Sequence, residues 1–415
     1  MLIAGARQLL TLAGPATPRR RSQMRQLGLV EDGAVLVRDG LIAATGRTAD
    51  ILRMPEARNA EVNGRVIDAS DKVVMPAFVD SHTHLVFGAP RLTDFEMRIS
   101  GAKYEAIAKA GGGIASSVRT TRAASTQDLT AQAIHFAQQA LATGTTTLEV
   151  KSGYGLNAET EIRILEVIRA AGLASSAELI PTFLGAHVVP TDMARDKYVK
   201  LLTKELIPRV ARDGLAEFCD VFCDRGAYTL DEARTIFRAA KKHKLKLKIH
   251  AEQLTRTGST ELAVRMGASS ADHLDCTTAA DVALLAKSKT IATLLPGCSF
   301  FLGLPYPPAR RLIDGGAAVA LATDFNPGTS PTLSMTLMLS LACTQMRMTP
   351  AEAVTAATFN AAHAVGRGGQ LGSLEPGKQA DIAIFDATDF REVPYYFGMN
   401  NCWMTIKQGH VAWSR

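Results

Sequence analysis

Eight short apolar runs, each followed by a longer stretch of helical period, fill the chain from Val73 to about residue 367 and constrain its fold more than any other feature. They are VVMPAFVD (73–80), TTTLEV (145–150), AELIPTFLGA (177–186), EFCDVFCD (217–224), KLKIHAE (246–252), SSADHL (269–274), TIATLLP (290–296) and AAVALATD (317–324). Runs of this kind, separated by Ala-rich helical segments, read as parallel strands buried on both faces by helices. Eight such units close on themselves as an α/β fold, the (β/α)8 TIM barrel, whose chemistry gathers at the C-terminal ends of its strands.

The flanks have another texture. Residues 1–74 hold short β-like pieces, GAVLVRDGLIAATG and RVIDASDKVV, broken by Gly and Asp turn signals, and the tail returns to this pattern in GSLEPGKQADIAIFD and NCWMTIKQGHVAW. The expected organisation is a barrel over 75–367, with 1–74 and 368–415 pairing into one small β-sandwich-like domain beside it. A chain of 415 residues suits that division, because single cores stop growing at roughly 250–300 residues.

Composition excludes several classes. A hydrophobic share of 47% with 21% charged residues leaves little scope for extended disorder. The formal charge of +6 is spread along the chain apart from two clusters. Arg19, Arg20, Arg21 and Arg25 read as an exposed loop; Lys241, Lys242, Lys244, Lys246 and Lys248 read as a solvated face. Neither supports a nucleic-acid partner. Six cysteines without a CxxC pair are expected to be reduced thiols of a cytoplasmic protein, with Cys219 and Cys223 as small apolar fillers. No run approaches the ~18 apolar residues of a membrane span, and no signal-peptide pattern opens the chain, so no membrane partner is expected. Gly111 to Gly113 lack the preceding strand and following GK[ST] of a phosphate cradle and read as a flexible loop near the barrel mouth.

The polar residues at the ends of the runs carry the chemistry. His82 and His84 are two apart just beyond the first run, so both side chains project to one face. His250, His273 and Asp324 follow the fifth, sixth and eighth runs. Any one alone reads as a hydrogen-bonded histidine or a helix-capping aspartate. Five at matching strand ends converge on one cation. Four imidazoles and a carboxylate suit Zn²⁺ or iron and are too rich in nitrogen for Ca²⁺ or Mg²⁺.

The segments HTHLVFGAPR, GGGIASSVRTTR, EVKSGYGL, TFLGAHVVP, DVFCD, KIHAEQ, SADHL, LLPG and TDFNPGTSP run through nearly the whole chain. Through them the sequence resembles the amidohydrolase superfamily of metal-dependent hydrolases. Within it the chain is similar to the branch that opens the ring of 4-imidazolone-5-propanoate to N-formimidoyl-L-glutamate in histidine degradation. The resemblance implies hydrolysis of a cyclic amide C–N bond, with His82, His84, His250 and Asp324 holding one Zn²⁺ or iron ion per subunit. It makes Arg91, Tyr154, His187, Gln253, Asn326, Gly328 and Thr329 the contacts to this small-molecule substrate, and implies a homodimer. Some relatives carry an acidic residue where Gln253 stands, so Gln253 can orient the ring but cannot act as a base. Relatives with two metals place a carbamylated lysine after their fourth strand. The fourth run here ends in FCDRG, and Lys151 ends the second run, so one metal is expected.

Cleaving a ring amide at neutral pH requires a strong nucleophile, a stabilised oxyanion and a proton for the departing nitrogen. A catalytic zinc lowers the pKa of its water to about 7 and polarises the carbonyl. Asp324 is then the proton acceptor and later donor, and His273 steadies the developing oxyanion. Arg91, seven residues past His84, offers a planar fork for the propanoate carboxylate, and Tyr154 adds a hydroxyl. Two other readings remain: a deaminase of cyclic amidines such as guanine on the same fold, and a non-catalytic ligand-binding relative. The intact set of His82, His84, His250, His273 and Asp324 argues against the second.

Overall fold

Strand and helix alternate from Phe78 to Leu321 in the computed structural model of the chain, which describes residues 1–102 and 104–415. Five strands precede this region: β1 (Leu2–Leu10), β2 (Leu29–Arg38), β3 (Leu41–Arg47), β4 (Val66–Asp68) and β5 (Val73–Pro76). The alternating region contains β6 (Phe78–Thr83), β7 (Thr145–Lys151), β8 (Glu178–Ala186), β9 (Phe218–Cys223), β10 (Lys246–Ala251), β11 (Ser270–His273), β12 (Ile291–Leu294) and β13 (Val319–Leu321). Three more follow: β14 (Ile382–Phe385), β15 (Cys402–Lys407) and β16 (His410–Ser414).

Strands β6 to β13 pair in sequence order, each parallel to the next, as the eight-stranded barrel requires. The seam between first and last strands is closed just beyond β13. Asp324 N–H donates to the His82 carbonyl at 3.0 Å, and His84 N–H donates to the Phe325 carbonyl at 2.8 Å. Three of the expected metal ligands therefore lie on the closure itself. Strand β7 is buried at every residue, so the alternation of Leu148 and Val150 with Glu149 and Lys151 separates two buried faces rather than core from solvent. The surrounding helices start on side-chain caps. Asn157 accepts from Thr160 N–H ahead of the helix Ala158–Ala174, and Thr229 with Glu232 forms a capping box ahead of Leu230–Lys242. The first of these helices buries Ile162, Leu165 and Ile168, each worth about 1.5–3 kcal/mol.

The first apolar run does not form a single strand. It divides at Ala77, because neighbouring backbone N–H groups bond into different sheets. Ala77 N–H donates to the Asp381 carbonyl at 3.0 Å, whereas Phe78 N–H donates to the Gly144 carbonyl at 2.9 Å. Strand β5 thus belongs to a second sheet, ordered β16-β15-β14-β5-β1-β2-β3 with β4 beside β1, that draws on both ends of the chain. Ile3, Leu9, Val35, Val74, Ile382, Ile384 and Ile406 form its main core.

The arginine cluster departs from its sequence reading, and in the lysine cluster Lys241, Lys242, Lys244 and Lys246 are exposed as expected while Lys248 departs. Arg19 is buried, and its guanidinium donates to the carbonyls of Leu12 at 2.6 Å and Ala13 at 3.0 Å, and to that of Gln26. Arg20 donates to the carbonyls of Ala286, Gly316 and Ser288. Ala286 and Gly316 end helices, whose last carbonyls lack intrahelical partners, and one guanidinium satisfies several at once. Only Arg21 and Arg25 are exposed. Lys248, expected on a solvated face, is fully buried. A strand covered on both sides has no solvent face, so its alternation places Lys248 inside the barrel. Cys219 and Cys223 are buried and free, as expected.

Candidate metal centre and substrate pocket

His82, His84, His250, His273 and Asp324 come together at the C-terminal mouth of the barrel, all buried. His82 Nε2 lies 3.5 Å from Asp324 Oδ1, His84 Nε2 lies 3.6 Å from the same oxygen, and His84 and His250 bring their Nε2 atoms to 3.4 Å. Four ligands at the usual Zn–N and Zn–O distances stand about 3.3 Å apart at the corners of a tetrahedron, so this spacing fits one ion. His82 Nε2 is buried without a hydrogen-bond partner, an orphaned acceptor that a metal would satisfy. Carboxylates orient the rings from behind. Asp272 Oδ2 is 2.7 Å from His82 Nδ1, and Asp220 Oδ2 is 3.1 Å from His250 Nδ1.

Beneath the ligands lies a charged layer. Glu149, Lys151, Asp220, Lys248 and Asp272 are all fully buried. Lys151 Nζ stands 2.8 Å from both Glu149 and Asp220, and Lys248 Nζ stands 3.6 Å from Asp272. Counting Asp324 and the fully buried Asp80, five carboxyl groups face two ammonium groups, an excess of negative charge that a divalent ion would reduce. Without it, burial pushes the Glu149 and Asp324 carboxyls above the ordinary carboxylate range. Burial also holds His82, His84 and His273 well below the usual histidine value, which keeps them in the neutral form that ligates metals. For Lys151 burial pulls the pKa down, but Asp220 and Glu149 outweigh it and raise the net value, so the side chain is a firmly held ammonium.

Two of these residues have left-handed backbones: φ is 79° at His273 and 54° at Asp324. Such conformations cost about 1–3 kcal/mol each and turn the side chains toward the common centre. Asp275 Oδ2, 3.8 Å from His273 Nδ1, lies behind the His273 ring.

The expected substrate contacts surround this centre. Arg91 is half-buried; its Nε donates to Ser117 Oγ at 2.8 Å, and a β-carbon at Gly328 would collide with its guanidinium. Tyr154 and His187 form an aromatic wall with His84: the His84 and His187 rings stack with centroids 5.2 Å apart, and the Tyr154 centroid is 5.9 Å from that of His84. His187 Nδ1 donates to the Gly153 carbonyl at 3.0 Å, leaving Nε2 as an acceptor; burial brings its pKa down to about 3. The Asn326 carboxamide is used within its own turn. It accepts from the N–H groups of Gly328 and Thr329, and donates to the Asp324 carbonyl and Thr329 Oγ1. Gln253 Nε2 points to Cys298 Sγ at 3.7 Å.

Several supporting residues escaped the sequence reading. Besides Asp220, Asp272 and Lys151, the buried Glu161 carboxylate accepts from the N–H groups of Gly153, Gly155 and Leu156 and so fixes the loop that carries Tyr154. For Asp220, Asp272 and Lys151 the available signal was a charge within an otherwise apolar run, rare unless the charge is paired, whereas Glu161 lies in the polar first turn of its helix and left no such signal.

Among the described residues no helix is long and apolar enough to cross a membrane. The profile of the Amidohydrolase family matches residues 73–412. The imidazolonepropionase of Solibacter usitatus (strain Ellin6076) is 49% identical over 399 residues, covering 95% of this chain and 94% of that protein. The imidazolonepropionase of Geobacillus thermodenitrificans (strain NG80-2) is 47% identical over 415 residues, covering 99% and 97%. Among solved structures, the E. coli guanine deaminase superposes with a TM-score of 0.75 at 16% identity, covering 100% of this chain and 99% of that one. An adenosine deaminase from Xanthomonas campestris with bound zinc gives 0.70 at 19% identity, covering 99% and 92%. At such identities the structures share the fold alone. The chain belongs to the amidohydrolase family and, within it, to the imidazolonepropionases.

Proposed function

We propose that the chain hydrolyses the ring amide C–N bond of 4-imidazolone-5-propanoate to give N-formimidoyl-L-glutamate, at one zinc or iron ion held by His82, His84, His250 and Asp324. When bound, the ion supplies a nucleophile from water at neutral pH and draws electron density from the substrate carbonyl. Asp324 takes the proton of the attacking water and returns it to the ring nitrogen as the C–N bond breaks. His273, neutral and carrying its proton on Nε2, donates from Nε2 to the carbonyl oxygen and steadies its growing charge, with Asp275 3.8 Å behind Nδ1.

The rest of the pocket recognises the substrate. Arg91 takes the propanoate carboxylate, its fork aimed by the bond to Ser117. Tyr154, kept protonated by burial, offers its hydroxyl, and neutral His187 offers an acceptor on Nε2. Gln253 orients the ring by hydrogen bonds, while Asn326 holds the turn that brings Gly328 and Thr329 to the pocket.

The observation that carries this reading is the pairing of a four-ligand centre with a half-buried arginine beside it, an arrangement suited to a ring that bears an anionic arm. The test is ultraviolet measurement of imidazolone propanoate consumption by purified, metal-loaded protein. Rapid consumption is expected. Ammonia release from guanine, with the imidazolone left intact, would replace this reading with the deaminase one.

A further inference from the structure

Cys298 has no part in the chemistry above, yet it lies in the wall of the same centre. It belongs to the first turn of the helix Pro296–Leu302, directly after β12, and it is a buried, free thiol. One ligand atom from each of His273, Cys298 and Asp324 lies within 4.8 Å of the others. This second set shares Asp324 with the four-ligand site and adds two residues that the four-ligand site does not use. The Gln253 carboxamide, donating toward the sulfur at 3.7 Å, directs a sulfur lone pair.

A nitrogen, a sulfur and a carboxylate oxygen form a donor set for soft or borderline ions such as Zn²⁺, Cd²⁺ or Co²⁺, and they exclude Mg²⁺ and Ca²⁺. We propose that His273, Cys298 and Asp324 form a second, weaker site for a soft divalent cation, and that filling it inhibits the enzyme by occupying the two residues that move the proton and steady the carbonyl. On binding, the Cys298 S–H bond breaks, a sulfur–metal bond forms, and the proton leaves to solvent.

Charge explains why the site is weaker. The first ion offsets most of the excess negative charge of the buried carboxyl groups over the two lysines. A second ion brings two further positive charges and gains one new anion, the Cys298 thiolate. It therefore binds only at metal excess, and the singly loaded protein remains active.

The test uses protein already holding one equivalent of zinc, titrated with Cd²⁺ while metal content, near-ultraviolet absorption and turnover are followed. The four-ligand site contains no sulfur, so exchange of cadmium for zinc there produces no sulfur-to-metal band. The expected result is a charge-transfer band that saturates at one added equivalent as turnover falls. In Cys298→Ser the band is absent, the first metal equivalent is retained, and the cadmium concentration for half inhibition rises at least tenfold. Cys298→Ala serves in the same way if the serine variant folds poorly. A native protein without the band at saturating cadmium, or a variant that keeps both band and inhibition, overturns the proposal. The binding measurements involve no substrate, so they succeed or fail independently of the ring assigned above.

Discussion

The Lys151 ammonium lies 2.8 Å from the Asp220 carboxylate, and both side chains are fully buried. Asp220 in turn faces His250 Nδ1 at 3.1 Å. A lysine that touches none of the four proposed ligands thus fixes the orientation of one of them through an intermediary.

Replacing that lysine exposes its role. Lys151→Met removes the ammonium that both Glu149 and Asp220 contact and is expected to lower the stability of the metal-free protein by ~3–5 kcal/mol. Bound metal partly covers the added negative charge, so the stability gap between metal-free and loaded protein widens relative to the native chain. Denaturant unfolding with and without chelator measures both. A narrower gap would mean that lost orientation of His250 outweighs the charge.

Metal removal alone should destabilise the native protein. If the free ion stands about 1,000-fold above its dissociation constant, its loss removes about 4 kcal/mol. Chelation is then expected to abolish turnover and lower Tm together, and one equivalent of zinc or iron should restore both.

Asp324→Asn separates metal binding from proton transfer. The amide can still ligate but cannot accept a proton, so most of the metal is expected to stay while kcat falls by ~10²–10⁴. Metal analysis beside kcat reads the two effects. Near-normal kcat would remove Asp324 from the role of base.

Arg91→Met should leave the propanoate carboxylate unpaired, at about 2–5 kcal/mol in binding, a fall in kcat/KM of about 30-fold or more. On an analogue with a neutral ethyl arm, the variant should perform no worse than the native enzyme, which closes a cycle between arginine and carboxylate. Equal loss on both compounds would make Arg91 structural.

Gly328→Ala tests the same contact from its other side. A β-carbon there collides with the Arg91 guanidinium, and the φ of Gly328 lies outside the left-handed region, so the added methyl acts by displacing that group. The variant should share the selectivity of Arg91→Met for the charged substrate, with Tm near the native value. A loss equal on both compounds would point to damage beyond the arginine.

Much of this was legible in the sequence. The eight runs gave the barrel, because strands buried on both faces are nearly unbroken apolar segments. His82, His84, His250, His273 and Asp324 were visible because each stands where such a run ends. Asp220, Asp272 and Lys248 were not, since a charge inside a run has meaning only once its partner across the barrel is known. Lys248 illustrates this: an alternating strand reads as half-solvated until helices are found on its outer side. Arg19 and Arg20 were misread for a related reason, as the carbonyls they serve are scattered from Leu12 to Gly316. The division of the first run at Ala77 is marked only by Pro76, which lacks the N–H to continue a ladder.

That division governs the order in which the molecule can be built. Strand β5, one residue ahead of the strand that bears His82, is flanked by β1 on one side and by β14 on the other. Ile382 to Phe385 leave the ribosome only after every barrel strand. Until then one edge of β5 has open hydrogen-bonding groups and offers itself to any passing strand. The start of the barrel is thus secured by a strand that follows all eight barrel strands in the sequence. A chain ending before Ile382 should accumulate as aggregate even though every proposed metal ligand is present.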